Sequence, residues 1–147
     1  MSNQVKNVLV NNAHIFRRNF SGREELPYNP AGKRNFCLSL EPDMAHELEE
    51  EGWNIKWPDP ESDRLPFMSV NVSYDRYPPQ IFKVTSRGKI LLDEDTIGTL
   101  DEDEIENIDI LIRPYCWNVG PNSGIKAYVK KMYVTIVEDE LDARYGD

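Results

Sequence analysis

A chain of 147 residues has the length of a single domain, enough to bury one core but not two. With 39% hydrophobic and 29% charged residues it suits a soluble fold; no apolar run nears a membrane span, and Met1-Ser2-Asn3-Gln4 lacks the charged flank and apolar stretch of a signal peptide, so the expected compartment is cytoplasmic. The net charge of −9 would exclude nucleic acid only if it were evenly spread, yet residues 1–36 carry +4, 64–92 carry +4 and 107–137 carry +3, while 41–63 and 93–106 carry −8 each and 138–147 carry −4.

In chain order, residues 5–10 alternate loosely before Asn11-Asn12 and read as a first strand. Residues 14–16 and 36–40 are short apolar runs bounded by turn formers, two strands on either side of a loop, 21–32, punctuated by Gly22, Pro27, Pro30 and Gly32. Arg17-Arg18-Asn19-Phe20 and Lys33-Arg34-Asn35-Phe36 frame that loop. Guanidinium forks beside phenylalanine rings suit a nucleic-acid strand, whose phosphates take the forks and whose bases take the rings. The same phenylalanines equally fit core positions at strand ends.

Pro42 at a first helical turn, Asp43 beside it, Met44 and Leu48 four apart and a closing Gly52 predict a helix over 42–51. Residues 52–57 then place Trp53, Ile55 and Trp57 on one side of a strand, as a core stripe or a stacking platform. Residues 58–66 are a proline-bearing connection. From Phe67 alternation predicts three strands, 67–74, 80–85 and 89–92, joined by short links as a meander. In the acidic insert Asp101 and Glu104 have capping-box spacing, predicting one short helix before Ile105. The last pair is the plainest: a strand from Ile108 towards Val119, a loop over 120–124, and a return over 125–137 with Lys126, Tyr128, Lys130 and Met132 on one face. Residues 138–147 read as an acidic tail following a domain over 1–137.

This order predicts an all-β protein with one or two short helices. It fits a five-stranded Greek-key OB-fold barrel, in which a helix commonly lies between the third and fourth strands, with an antiparallel β-sandwich as the alternative.

Chemistry for catalysis is sparse. Two histidines form no cluster, and neither a nucleophile elbow nor a phosphate-cradling glycine loop is present. Cys37 and Cys116 sit 79 positions apart in strand-like runs, which predicts buried thiols and neither a disulfide framework nor, with His14 and His46, a zinc site. Asp93 to Glu104 has calcium-loop spacing but offers Ile97 where an oxygen ligand belongs. No cofactor or metal is expected, and no enzyme.

Binding chemistry is better supplied. Arg113-Pro114-Tyr115-Cys116-Trp117 and Lys126-Ala127-Tyr128 lie on opposite arms of the closing hairpin and approach across the sheet. The expected phosphate partners are Arg17, Arg18, Arg23, Lys33, Arg34, Arg113, Lys126 and Lys130; the expected stacking rings come from Phe20, Phe36, Trp53, Tyr115, Trp117 and Tyr128. Two other classes compete: an acidic interaction module imitating nucleic acid through 93–106 and the tail, and a divalent-metal nuclease.

Residues 16–22, 34–37, 52–57 and 85–88, with Arg113-Pro114-Tyr115, Trp117 and Lys126-Ala127-Tyr128, resemble small single-stranded-DNA-binding proteins encoded by tailed bacteriophages. The resemblance implies an OB-fold protein that coats and protects single strands during replication or recombination; monomer and homodimer are both open. It also implies an acidic tail, here Glu138, Asp139, Glu140 and Asp142, that contacts replication proteins and competes with DNA. This tail departs from the family's pattern in being short and without a Gly/Pro linker.

Overall fold

A computed structural model of the chain describes residues 5–27 and 29–138. Eight strands, one α-helix and one 3-10 helix follow in order: β1 (Val8–Val10), β2 (Ile15–Asn19), β3 (Arg34–Ser39), α1 (Pro42–Glu51), β4 (Phe67–Val72), β5 (Gln80–Thr85), β6 (Gly88–Leu92), the 3-10 helix (Ile97–Asp101), β7 (Ile105–Val119) and β8 (Asn122–Ile136). The first two strands follow one another across a bend at Asn11-Asn12. β1 pairs with β7, the Ala13 N–H donates to the Ile108 carbonyl at 2.7 Å, and β2 then pairs with β3. The sheet, ordered β1-β7-β8-β4-β3-β2, is thereby curled back on itself. β4 runs parallel to β8 and antiparallel to β3, a Greek-key arrangement, and the fold is the expected all-β, OB-like one.

Alternation along the strands fills the interior. Phe36 and Leu38, Met68 and Val70, Ile108, Ile110 and Ile112, and Met132 and Val134 all point inward and are buried. The helix forms where expected: Pro42 occupies the first turn, and Gly52 at φ 111° ends it by donating to the Glu49 carbonyl. It buries Ala45 and Leu48.

Several details differ from the sequence expectation. The meander is not formed, because β5 pairs in parallel with the second half of β8 and antiparallel with β6 and does not return along β4. Residues 53–57 make only isolated bridges, Trp53 to Ile125 and Lys56 to Phe67. Trp53 and Ile55 are buried there, while Trp57 is exposed against the His46 ring with its indole N–H on Glu49.

The 3-10 helix ends at Asp101 and is not capped by it. Asp93 shapes the turn leading into it, accepting from the Asp95 and Thr96 N–H groups, and the Thr96 hydroxyl bond holds its carboxyl below the usual range. The closing loop shrinks to Gly120-Pro121, since Val119 already pairs with Asn122; Gly120 supplies the positive φ (60°) that a tight hairpin needs. A β-bulge resets the alternation of β8: Leu111 pairs with Lys131 and Ile112 with Val129, so Lys130 is the extra residue. Met132 consequently turns inward, away from the face of Lys126 and Tyr128.

The acidic insert is fastened to the barrel. The Asp101 carboxylate accepts from the Phe20 N–H at 2.7 Å, the Ser21 N–H at 3.0 Å and the Ser21 hydroxyl at 2.7 Å. Arg18 Nη1 donates to the Leu100 and Asp103 carbonyls, and Lys83 pairs with Asp103 at 2.6 Å. Asp101→Ala strips the partner from the part-buried Phe20 N–H and is expected to cost about 2–3 kcal/mol, read as a lowered denaturation midpoint, with Asp101→Asn recovering part of it.

Candidate nucleic-acid interface

The two Arg-Asn-Phe triplets turn out to be a loop clamp. Phe20 and Phe36 pack together in the core with ring centroids 5.2 Å apart, at 0% and 1% exposure. Asn19 accepts from the Arg23 N–H and donates to the Arg23 carbonyl and to Glu25. The Asn35 amide donates to Asn29, and the Asn29 amide in turn donates to the carbonyls of Arg23 and Lys33. Ring anchors and amide staples therefore fix the loop that carries Arg23 and Lys33, beside β2 and β3.

On the outer face of the sheet two clefts meet. One, of about 660 Å³, is lined by Arg17, Arg18, Arg23, Glu25 and Cys37; the other, of about 670 Å³, by Lys33, Asn71, Trp117, Lys126 and Tyr128. Both touch Ser69, and the register explains the continuity: Cys37 sits opposite Ser69 on β3 and β4, Asn35 opposite Asn71, and Asn71 opposite Tyr128 on β8. The outward positions of the central strands are thus small and polar, giving a shallow floor between two raised sides. Five basic side chains border it against one acidic, Glu25, so the local field is positive in a chain of net charge −9.

Arg17 stands in the bulge between Phe16 and Asn19, at φ 51°, with its guanidinium 5.5 Å from the Phe16 ring centre and 5.8 Å from that of Phe67. A left-handed arginine is costly, and the bulge aims it across the cleft. Burial pushes the Cys37 thiol up, only partly offset by Arg17 beside it, so the floor holds a neutral thiol at neutral pH.

At the other side Arg113 lies 5.0 Å from the Tyr77 ring and 5.5 Å from the Tyr128 ring, and Tyr115, half exposed, meets Tyr128 edge-on. Trp117 is laid over Gly124: a Cβ added there would come within 2.9 Å of the indole. Lys130 is exposed in the bulge of β8.

The structure therefore gathers Arg17, Arg23, Lys33, Arg113, Tyr115, Trp117, Lys126 and Tyr128 around one face, with Arg18 at its edge already tethered to the acidic insert. Three expected stacking rings are corrected. Phe20, Phe36 and Trp53 (3% exposed) are core residues with no ring face for a base. Arg34 is corrected too: as the neighbour of Asn35 on a strand it points to the opposite face, over the Tyr74 ring and 3.6 Å from Glu94. Cys116, expected to be buried, is exposed, since β7 and β8 run on as a bare hairpin past the barrel. Glu138 is held by the Ser86 N–H and hydroxyl; Asp139, Glu140 and Asp142 lie outside the described residues.

Tyr77, Ser69 and Asn71 were not singled out from the sequence. Tyr77 lies in a turn that no periodicity marks, and serine and asparagine at alternate positions of a strand signal only a wet face. The insert's Glu94, Asp101 and Asp103 are occupied by Arg34, the 20–21 backbone and Lys83, which leaves them poorly placed to imitate a phosphate backbone. Among the described residues no three His, Cys, Asp or Glu side chains gather as a metal site, and no helix is long and apolar enough to cross a membrane.

A family model described as "Putative phage ssDNA-binding domain" matches residues 1–147. No curated protein matches the sequence. Among solved structures, the chain is similar to a C-terminal truncation of the single-stranded DNA-binding protein from bacteriophage Enc34, with a TM-score of 0.56 at 13% identity over 94% of each chain. It is similar also to that phage protein in complex with ssDNA, with a TM-score of 0.56 at 12% identity over 94% of this chain and 95% of the other. At such identity the likeness is one of fold.

Proposed function

The chain belongs to the phage ssDNA-binding domain family, and we propose that it binds and protects single-stranded DNA along the Arg17 to Lys126 groove, without sequence preference and without catalysis. The setting is phage DNA replication or recombination in the host cytoplasm. The observation that carries this reading is the continuity of the two clefts through Ser69, with cations on both sides of an uncharged floor. Phosphates pair with Arg17, Arg23, Lys33, Arg113 and Lys126, while bases lie against Tyr128, Trp117 and Tyr115. Sequence tolerance follows from the chemistry, because every base has a flat face and every nucleotide a phosphate. One chain carries the whole groove, so a monomer suffices as the binding unit. Glu138 being engaged at Ser86, a role for the acidic end in contacting replication proteins rests on Asp139, Glu140 and Asp142.

Titration with oligo-dT is expected to quench tryptophan fluorescence, and Trp117→Phe to remove most of the quench, since Trp53 is buried and Trp57 packs on α1. Five phosphate contacts predict a slope of log affinity on log salt of about −3.5, at about −0.7 per contact on a single strand. A salt-independent affinity, or no binding at low salt, defeats the reading.

A further inference from the structure

We propose that the outer face of the β5–β6 hairpin is a second contact for single-stranded nucleic acid, where a base stacks on Phe82 and Tyr133 and the neighbouring phosphates pair with Lys89 and Lys131. This rests on the groove reading above, which it extends to a separate surface.

Phe82 and Tyr133 are direct partners on the parallel strands β5 and β8, with ring centroids 5.0 Å apart and planes at 12°. Lys89 Nζ lies 5.0 Å and 5.4 Å from the two ring centres, and Lys131 Nζ 5.5 Å from that of Tyr133. The neighbouring Lys131, and after it Lys89, hold the Tyr133 phenol below its usual range. Among the described residues neither ammonium is within 4.0 Å of a carboxylate. The nearest acid in register, Asp109 opposite Tyr133 on β7, accepts instead from the Asn12 N–H at 3.1 Å and the Asn107 amide at 3.3 Å.

Leu91, exposed and opposite Phe82 on β6, extends the flat apolar surface to the edge of the hairpin. Two parallel rings with ammonium groups over them present both halves of a nucleotide's chemistry. Binding would exchange a cation–π contact for a base on the ring and a phosphate on the ammonium.

The location supplies the link to the groove. Tyr128 and Tyr133 stand five residues apart on β8, about 16 Å at the rise of a strand. Because the bulge at Lys130 shifts the alternation by one, these two odd-spaced tyrosines share the outer side of the sheet. A strand leaving the groove at Tyr128 is carried past Lys131 directly onto the Tyr133 and Phe82 rings.

The test is a length series of fluorescently labelled oligo-dT, read by anisotropy, on the full chain. Wild-type affinity is expected to rise with length in two stages, the groove filling first. The triple variant Lys89→Glu, Lys131→Glu, Tyr133→Ser should bind the shortest oligomers as wild type does but lose about tenfold on the longer ones, abolishing the second stage. Tyr133→Phe should keep it, and oligomers carrying 5-iododeoxyuridine should cross-link to Tyr133 or Phe82 only when long. Should the triple variant melt early, Lys89→Glu alone, at an exposed position, is expected to show a smaller loss of the same kind. Long-oligomer affinity unchanged in these variants overturns the proposal, as does an equal loss at all lengths, which would make the hairpin a support of the groove. Failure of the groove reading looks different: wild type would not bind the short oligomers at all.

Discussion

Arg17→Asn combined with Lys126→Gln is expected to weaken oligo-dT binding by about 100-fold at low salt and to leave the melting temperature unchanged or slightly raised. A hydrogen bond to a charged group contributes about 1.5–3 kcal/mol, so each lost phosphate contact corresponds to about tenfold or more. The salt slope should also become shallower by about 1.4, two contacts at about 0.7 each. Stability moves the other way because Arg17 sits at φ 51°, where an L residue is strained by about 1–2 kcal/mol and asparagine is more at ease. The opposed signs make the experiment sharp. A loss of affinity caused by misfolding would bring the melting temperature down with it, and an unaltered salt slope would place the phosphates on another surface.

Phe36→Ala and Tyr128→Ala should divide stability from binding in the opposite sense. Phe36 is sealed against Phe20 beneath β3, and its truncation leaves a cavity costing about 3–5 kcal/mol, a large part of the stability of a domain this size. Its folded fraction should retain DNA affinity. Tyr128 lies on the outer face, touching Arg113 and Tyr115, and its loss should barely shift a denaturation curve yet cost about 1–3 kcal/mol of binding, up to about 100-fold. Chemical denaturation and DNA titration of both variants check the pair. Equal binding by Tyr128→Ala and wild type would remove the tyrosine from the site.

The sequence is most readable where one rule acts alone. Pro42 and Gly52 mark the helix ends because each has a conformational reason to be there, and strand 80–85 and the strand from 108 towards 119 are legible from their alternation, although the latter begins at Ile105. It misleads where a local signal has two physical uses. Phenylalanine beside arginine serves a base or a core equally well, and only the burial of Phe20 and Phe36 decides between them. Asp101 has the spacing of a helix cap, but two backbone N–H groups 81 and 80 residues away in sequence make the stronger claim on its carboxylate. Arg34 and Asn35 are adjacent in sequence and on opposite sides of a strand, so the face of each cation depended on a register that composition does not carry. The pairing of β4 and β5 with the two halves of β8 is long-range, and nothing in the turns between them announces it.

The meeting of Trp117 with Gly124 across the closing hairpin ties two positions into one inheritable unit. Any side chain appearing at 124 evicts the indole, and an indole exchanged for a smaller group frees 124 to vary. Position 124 does not drift ahead of 117, so in descendants of this chain a lone change at 124 should be purged, while paired changes pass, re-angling the hairpin's tip as they do.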